Sequence, residues 1–192
     1  MTNDDVTAQA ASVNWRIVRW GVASLILLLP LAAMQLTNEV RWDGADFIFA
    51  GVLVGAVGLT YELAVSRTRD RAYRAGVAVA LTATFLLVWV NGAVGLIGSE
   101  DDPANLLFGL VPLTALVGAI GAGFRPAGVA RALLAAAIAQ LLVTGAVLAI
   151  GWSTRSPIWP RELVFAGGGF GGLWLASAWL FGKAARTAAA GR

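Results

Sequence analysis

Between Ala75 and Ile97 the chain carries no charged residue, and the two borders of that stretch have opposite charge. Arg67, Arg69, Arg71 and Arg74 stand before it; Glu100, Asp101 and Asp102 follow it. About 20 consecutive apolar residues cross the hydrocarbon of a bilayer as a helix, because each backbone polar group then bonds within its own segment. The basic border belongs on the cytoplasmic side. This segment therefore predicts both a membrane span and its direction.

The composition extends that reading to the whole chain. It is 58% hydrophobic and 13% charged, with 23 glycines and 8 tryptophans in 192 residues, and its mean hydropathy is +0.75. Glycine permits close helix packing in lipid and tryptophan favours the interface. The net charge of +3 comes from arginines at span ends, so it does not point to nucleic acid. With no cysteine there are no disulfides, thiolate zinc sites or iron–sulfur ligands. With no histidine, an imidazole base and histidine-ligated haem are excluded too. The reading implies no metal and no cofactor.

Six spans are readable. Met1 to Asn14 is a polar tail, and Trp15, Arg16, Arg19 and Trp20 form a collar for the first span, Ile17 to Leu36, with Pro30 inside. A cleaved signal peptide is the alternative, but the apolar run is of membrane length and a long polar segment precedes it. The second span covers Phe47 to Ser66, the third Ala75 to Ile97, and the fourth Leu106 to Phe124 with Pro112 inside. Ala132 to Trp152 and Leu163 to Phe181 complete the set. The expected fold is an all-α integral membrane protein: a single six-helix transmembrane domain over 15–186, with tails at 1–14 and 187–192.

Charge sets the orientation. Eleven of the 14 basic residues fall in the N-terminal tail and collar, the 66–74 and 125–131 loops and the C-terminal tail. The opposite loops hold Arg41, Arg155 and Arg161, with seven of the 11 acids. Both termini are thus expected in the cytoplasm.

Span starts echo one another. Arg16-x-x-Arg19-x-Gly21-Val22-Ala23 matches Arg71-x-x-Arg74-x-Gly76-Val77-Ala78, and the returning spans open at Asp46, Asn105 and Glu162 with similar residues. Three helical hairpins in tandem are one explanation; chance in an alphabet dominated by Gly, Ala, Val, Leu and Phe is the other.

Gly51, Gly55, Gly58 and Glu62 lie on one face of the second span, and Gly167 and Gly171 offer a similar face in the sixth. Small residues at this spacing let a neighbouring helix approach closely. Glu62, about 6 Å inside the cytoplasmic end, is either an ion-handling carboxylate or one member of an ion pair with an arginine such as Arg71 or Arg74. Asn91, and Gln140 with Thr144 on one face of the fifth span, are candidates for an ion or solute path, as against hydrogen bonding between helices; Thr82, Thr84 and Thr114 are scattered. The Glu100-Asp101-Asp102 run of the outer loop has oxygens for a hard cation but lacks the alternation and turn glycine of a calcium loop. A solvated turn suits it better, with Asn105 capping the fourth helix or Asp102 doing so ahead of Pro103.

The segment Trp89 to Asn105, with its Gly98-Ser99-Glu100-Asp101-Asp102-Pro103-Ala104-Asn105 loop, resembles a family of small, uncharacterised multi-pass inner-membrane proteins of bacteria. Tyr61-Glu62-Leu63-Ala64 and Phe124-Arg125-Pro126 extend the resemblance, while Asp102 stands where asparagine is more readily expected. The resemblance implies a topology and a bacterial inner-membrane location, and no activity. The expected function is a channel or transporter for an ion or small solute; the alternative is a non-catalytic accessory or assembly subunit. Expected partners are the bilayer and either further copies or partner helices, with no nucleic acid. No catalytic arrangement is recognisable. Whether Glu62, Asn91 and Gln140 converge on one cavity or enter separate contacts discriminates the two functions.

Overall fold

A computed structural model describes residues 15–37, 41–93, 95–97, 102–151 and 160–191. Those residues form six helices: α1 (Trp15–Leu36), α2 (Gly44–Ser66), α3 (Arg71–Ala93), α4 (Leu106–Gly121), α5 (Pro126–Ile150) and α6 (Arg161–Ala190), with a short 3-10 turn at Pro103–Asn105. The helices α2 to α6, with the 3-10 turn joined to α4, are each long and apolar enough to cross a membrane. In α1 the apolar helix runs from Trp20 to Leu36. The chain divides into two compact units, residues 1–62 and 63–192.

Local chemistry sets the helix ends. Asp43 Oδ1 accepts from the N–H groups of Ala45 (2.7 Å) and Asp46 (3.1 Å), while Asp46 Oδ2 accepts from Asp43 N–H. This reciprocal cap satisfies donors that the first turn of α2 leaves open. Asp70 does the same for α3, accepting from Tyr73 N–H at 2.7 Å. At the α4–α5 turn, Gly123 and Phe124 both adopt positive φ (55° and 56°), and Phe124 N–H closes back onto the Ala119 carbonyl at 3.0 Å. Arg125 is extended ahead of Pro126, the first residue of α5, as the residue before proline prefers. Gly151, left-handed at φ 66°, ends α5.

The expected third span overshoots. Its helix stops at Ala93, and Gly95 at φ 74° turns the chain. Leu96 and Ile97 are apolar because the turn they form is packed into the protein: Ile97 is wholly buried. Buried Asn105 holds this turn. Its Oδ1 accepts from Leu96 and Ile97 N–H, both at 2.9 Å, and its Nδ2 donates to the Ile97 carbonyl at 3.2 Å. The helix cap falls to Asp102, which accepts from Ala104 N–H at 2.9 Å.

Within residues 63–192, α6 lies mainly against α5 and α3, and α5 also against α4; α3 and α4 barely touch. The second of the three expected tandem hairpins is therefore not a packed pair, since α3 uses α6 as its partner. The buried residues of α6, Leu163, Gly167, Phe170, Gly171, Trp174, Ser177, Phe181 and Ala184, form a stripe of three- and four-residue steps along one side. Missing side chains allow the approach. A Cβ on Gly167 would stand 2.5 Å from Thr144 side-chain atoms, one on Gly76 would stand 2.8 Å from the Phe181 ring, and one on Gly118 would stand 2.5 Å from Ala132 Cβ. At Gly51 and Gly55 an added Cβ meets no atom within 4 Å.

Two expectations follow. Gly167→Leu should cost about 1–3 kcal/mol by overpacking against branched Thr144, whereas Gly55→Leu should stay within about 0.5 kcal/mol of wild type; unfolding in detergent separates them. Asn105→Ala should cost about 1–3 kcal/mol by stranding the Leu96 and Ile97 backbone groups. An unchanged unfolding midpoint for that variant would contradict the clamp.

Candidate functional site

The polar side chains inside the apolar helices occupy three separate settings. The first is in residues 1–62, where Trp20 of α1 meets the face Gly58–Glu62 of α2. Trp20 Nε1–H donates to Glu62 Oε1 at 3.3 Å. One turn earlier, a Cβ at Gly58 would stand 3.4 Å from the indole edge. Glycine at 58 thus makes room for the ring and glutamate at 62 supplies its acceptor. The indole N–H, which is a donor only, needs such an acceptor when half-buried. Of the glycine face expected at 51, 55 and 58, Gly58 is the position with a neighbour close enough to feel a side chain.

The second setting is the α5–α6 contact. Gln140 is wholly buried and Thr144 nearly so. Gln140 Nε2 donates to Thr144 Oγ1 at 3.5 Å within the same helix, and Thr144 rests on Gly167. Among the described residues, Gln140 Oε1 and the Nε1 of wholly buried Trp174 have no hydrogen-bond partner. Thr144 against Gly167 and Leu141 against Gly171 fix an antiparallel register. Gln140 is consequently level with Gly171.

Asn91 is the third. Its Nδ2 donates to the Leu87 carbonyl of its own helix at 2.7 Å, and its Oδ1 is buried without a partner. Two of the scattered threonines behave alike: Thr84 donates to the Ala80 carbonyl and Thr114 to the Leu110 carbonyl, each one turn back. Such back-bonding satisfies a hydroxyl without a second helix. Their own helix carbonyls are nearer than a second helix and always in reach.

Two bonds that join segments within residues 63–192 come from Ser177 and Tyr73, residues without a role in the expectations above. Buried Ser177 of α6 donates to the Gly76 carbonyl of α3 at 2.8 Å, and Tyr73 donates to the Phe124 carbonyl at 3.2 Å. The signal for Ser177 was present: it continues the α6 stripe on from Gly167, Gly171 and Trp174. Tyr73 also stands edge-on to Phe181 with ring centroids 4.8 Å apart.

These contacts give relative heights along the 63–192 bundle. Gly76 is level with Ser177, about 9 Å from Gly171 and hence from Gln140, while Asn91 lies about 22 Å from Gly76 along α3. Asn91 and Gln140 are thereby separated by about 13 Å along the axis. Glu62 belongs to the other unit. Of the acidic loop, Glu100 and Asp101 lie outside the described residues, and Asp102 is engaged as a cap. Among the described residues no three acidic side chains gather where a metal ion could be held.

No family model matches the chain, and neither a curated protein nor a solved structure is significantly similar to it.

Proposed function

We propose that this chain is a non-catalytic accessory or assembly subunit of a membrane complex, embedded in the bacterial inner membrane with both termini in the cytoplasm. The observation that carries the proposal is the separation of Gln140 and Asn91 by about 13 Å along the axis of residues 63–192, each bonded within its own helix. A channel or transporter needs a continuous polar route. Glu62 has the Trp20 indole as a donor, Gln140 is sealed beside Thr144 against α6, and Asn91 is bonded to its own helix. Each supports a helix or a helix contact, which is the ordinary use of amides and hydroxyls in lipid.

An enzymatic role is disfavoured by chemistry: a chain without histidine or cysteine has only carboxylates, hydroxyls and amines for acid–base or nucleophilic work. Within residues 1–62, α1 leaves the α2 face at Gly51 and Gly55 uncovered, a face that a partner helix or a further copy of the chain can take. The orientation rests on the basic loops, which the positive-inside tendency holds in the cytoplasm.

Reconstituted liposomes test the reading. Wild type and Glu62→Gln should dissipate an imposed proton or potassium gradient no faster than protein-free vesicles. A wild-type flux abolished by Glu62→Gln in a folded protein would sink the proposal. Gln140→Leu gives an independent check. It removes an acceptor that has no partner, and Thr144 can still bond to the carbonyl of residue 140, so its unfolding midpoint should move by less than about 1 kcal/mol in equivalent stability. A wild-type flux lost in Gln140→Leu would again favour permeation.

A further inference from the structure

We infer that the basic end of residues 63–192 is a binding surface for the headgroups of anionic phospholipids. Tyr73 assembles this end from three segments that are distant in sequence. Its hydroxyl bonds to the Phe124 carbonyl, its ring packs on Phe181, and one turn further Gly76 receives Ser177. The start of α3, the α4–α5 turn and the end of α6 are therefore at one level. With them come Arg67, Arg69, Arg71, Arg74, Arg125, Arg131, Lys183 and Arg186.

The one acid among the described residues at this end is Asp70, and its Oδ1 is engaged as the cap of α3. None of the eight basic groups forms an ion pair among the described residues, and all but Arg74 are exposed. A surface that gathers this many cations unpaired among the described residues, beside apolar helices, attracts anions. A membrane supplies them at that depth: basic clusters next to transmembrane helices attract anionic headgroups. Arginine forks match phosphate oxygens in pairs.

Trp179 marks the depth. Its ring is 61% exposed on α6, and Lys183 Nζ stands 5.9 Å from the ring centroid. An indole with a lysine one turn beyond it is the arrangement of an interfacial anchor, where the ring sits among headgroups and the ammonium reaches phosphate. The inference needs the membrane-spanning helices but is independent of the accessory role.

The test is binding of fluorescent phosphatidylglycerol and phosphatidylcholine to the purified full chain in a nonionic detergent at low salt. Phosphatidylglycerol should bind the tighter, and binding should weaken as salt rises. Near a surface each basic residue contributes roughly a fivefold factor, so Arg71→Gln/Arg74→Gln/Arg125→Gln together should weaken phosphatidylglycerol binding about a hundredfold. Arg161→Gln, at the opposite end of α6, should leave it unchanged. Arg125→Gln alone alters an exposed residue whose side chain makes no cap bond; it keeps the test decisive if the triple variant fails to fold, with roughly fivefold weakening expected. Equal binding of both lipids, or full binding by Arg125→Gln, would overturn the inference. Displacement of phosphatidylglycerol by millimolar inorganic phosphate would overturn it in favour of a free-phosphate site.

Discussion

The hydrogen bond from Ser177 to the Gly76 carbonyl fixes the arrangement of residues 63–192. A hydroxyl buried among apolar side chains must find an acceptor, and a helix carbonyl is open to a neighbouring helix only where no side chain stands in the way. Glycine at 76 provides that opening, and the same absence admits the Phe181 ring. Once α3 and α6 are locked in antiparallel register, Tyr73 falls beside Phe181 and its hydroxyl reaches the α4–α5 turn. The positive φ of Phe124 gains significance here, because an unusual conformation for a bulky residue belongs to the turn whose carbonyl accepts that bond. A single interhelical contact thus propagates to three chain segments.

Much of this was legible in the sequence, because lipid leaves so few options. Apolar length placed the five helices α2 to α6, which are long and apolar enough to cross a membrane, while the apolar part of α1, Trp20–Leu36, is shorter; only a helix satisfies every backbone group of a single crossing segment. Asp43 and Asp70 were not singled out as caps, yet the side-chain logic that predicted Asp102 ahead of Pro103 applies to all three. The partnership of α3 with α6 was hidden. Tandem hairpins assume that neighbours in sequence pack together, but what decides packing is which faces carry small residues at matching heights. Gly76 matches Ser177 and Phe181 over a long sequence separation, a coincidence invisible before the register is known. The end of α3 was misjudged for a related reason: Leu96 and Ile97 look like lipid-facing residues, and their burial depends on Asn105 folding back over them.

The polar side chains illustrate a second limit. From sequence, an asparagine, a glutamine and a glutamate within apolar spans invite one shared role. Each instead finds its nearest partner first. Asn91 reaches the Leu87 carbonyl and Gln140 reaches Thr144, both one turn away in the same helix, where no chain rearrangement is needed. Glu62 has the indole of Trp20, made possible by the missing side chain at Gly58. In an apolar medium such local bonds are favoured over long polar files because each unmade bond costs about 1–3 kcal/mol. Gln140 Oε1 and Trp174 Nε1 find no partner among the described residues.

The length of α6 ties fold to membrane. At 30 residues it rises about 45 Å, well beyond a hydrocarbon core of about 30 Å. Its charges mark where the core ends. From Arg161 to Lys183 the helix rises about 33 Å, a length that matches the hydrocarbon core, and the stripe between them carries the contacts of α6 with Gly76, Leu141 and Thr144. Trp179 falls just inside the second boundary, and Arg186 and the final turn project beyond it. The tight contacts of α6, Gly167 with Thr144 and Gly76 with Phe181, therefore lie within the bilayer thickness. Beyond Lys183 the helix buries Ala184 and carries Arg186 on its exposed side. Helix α6 thus acts as a shared strut: its buried stripe sets the register of α3 and α5, and its basic end stands with theirs at the same membrane surface.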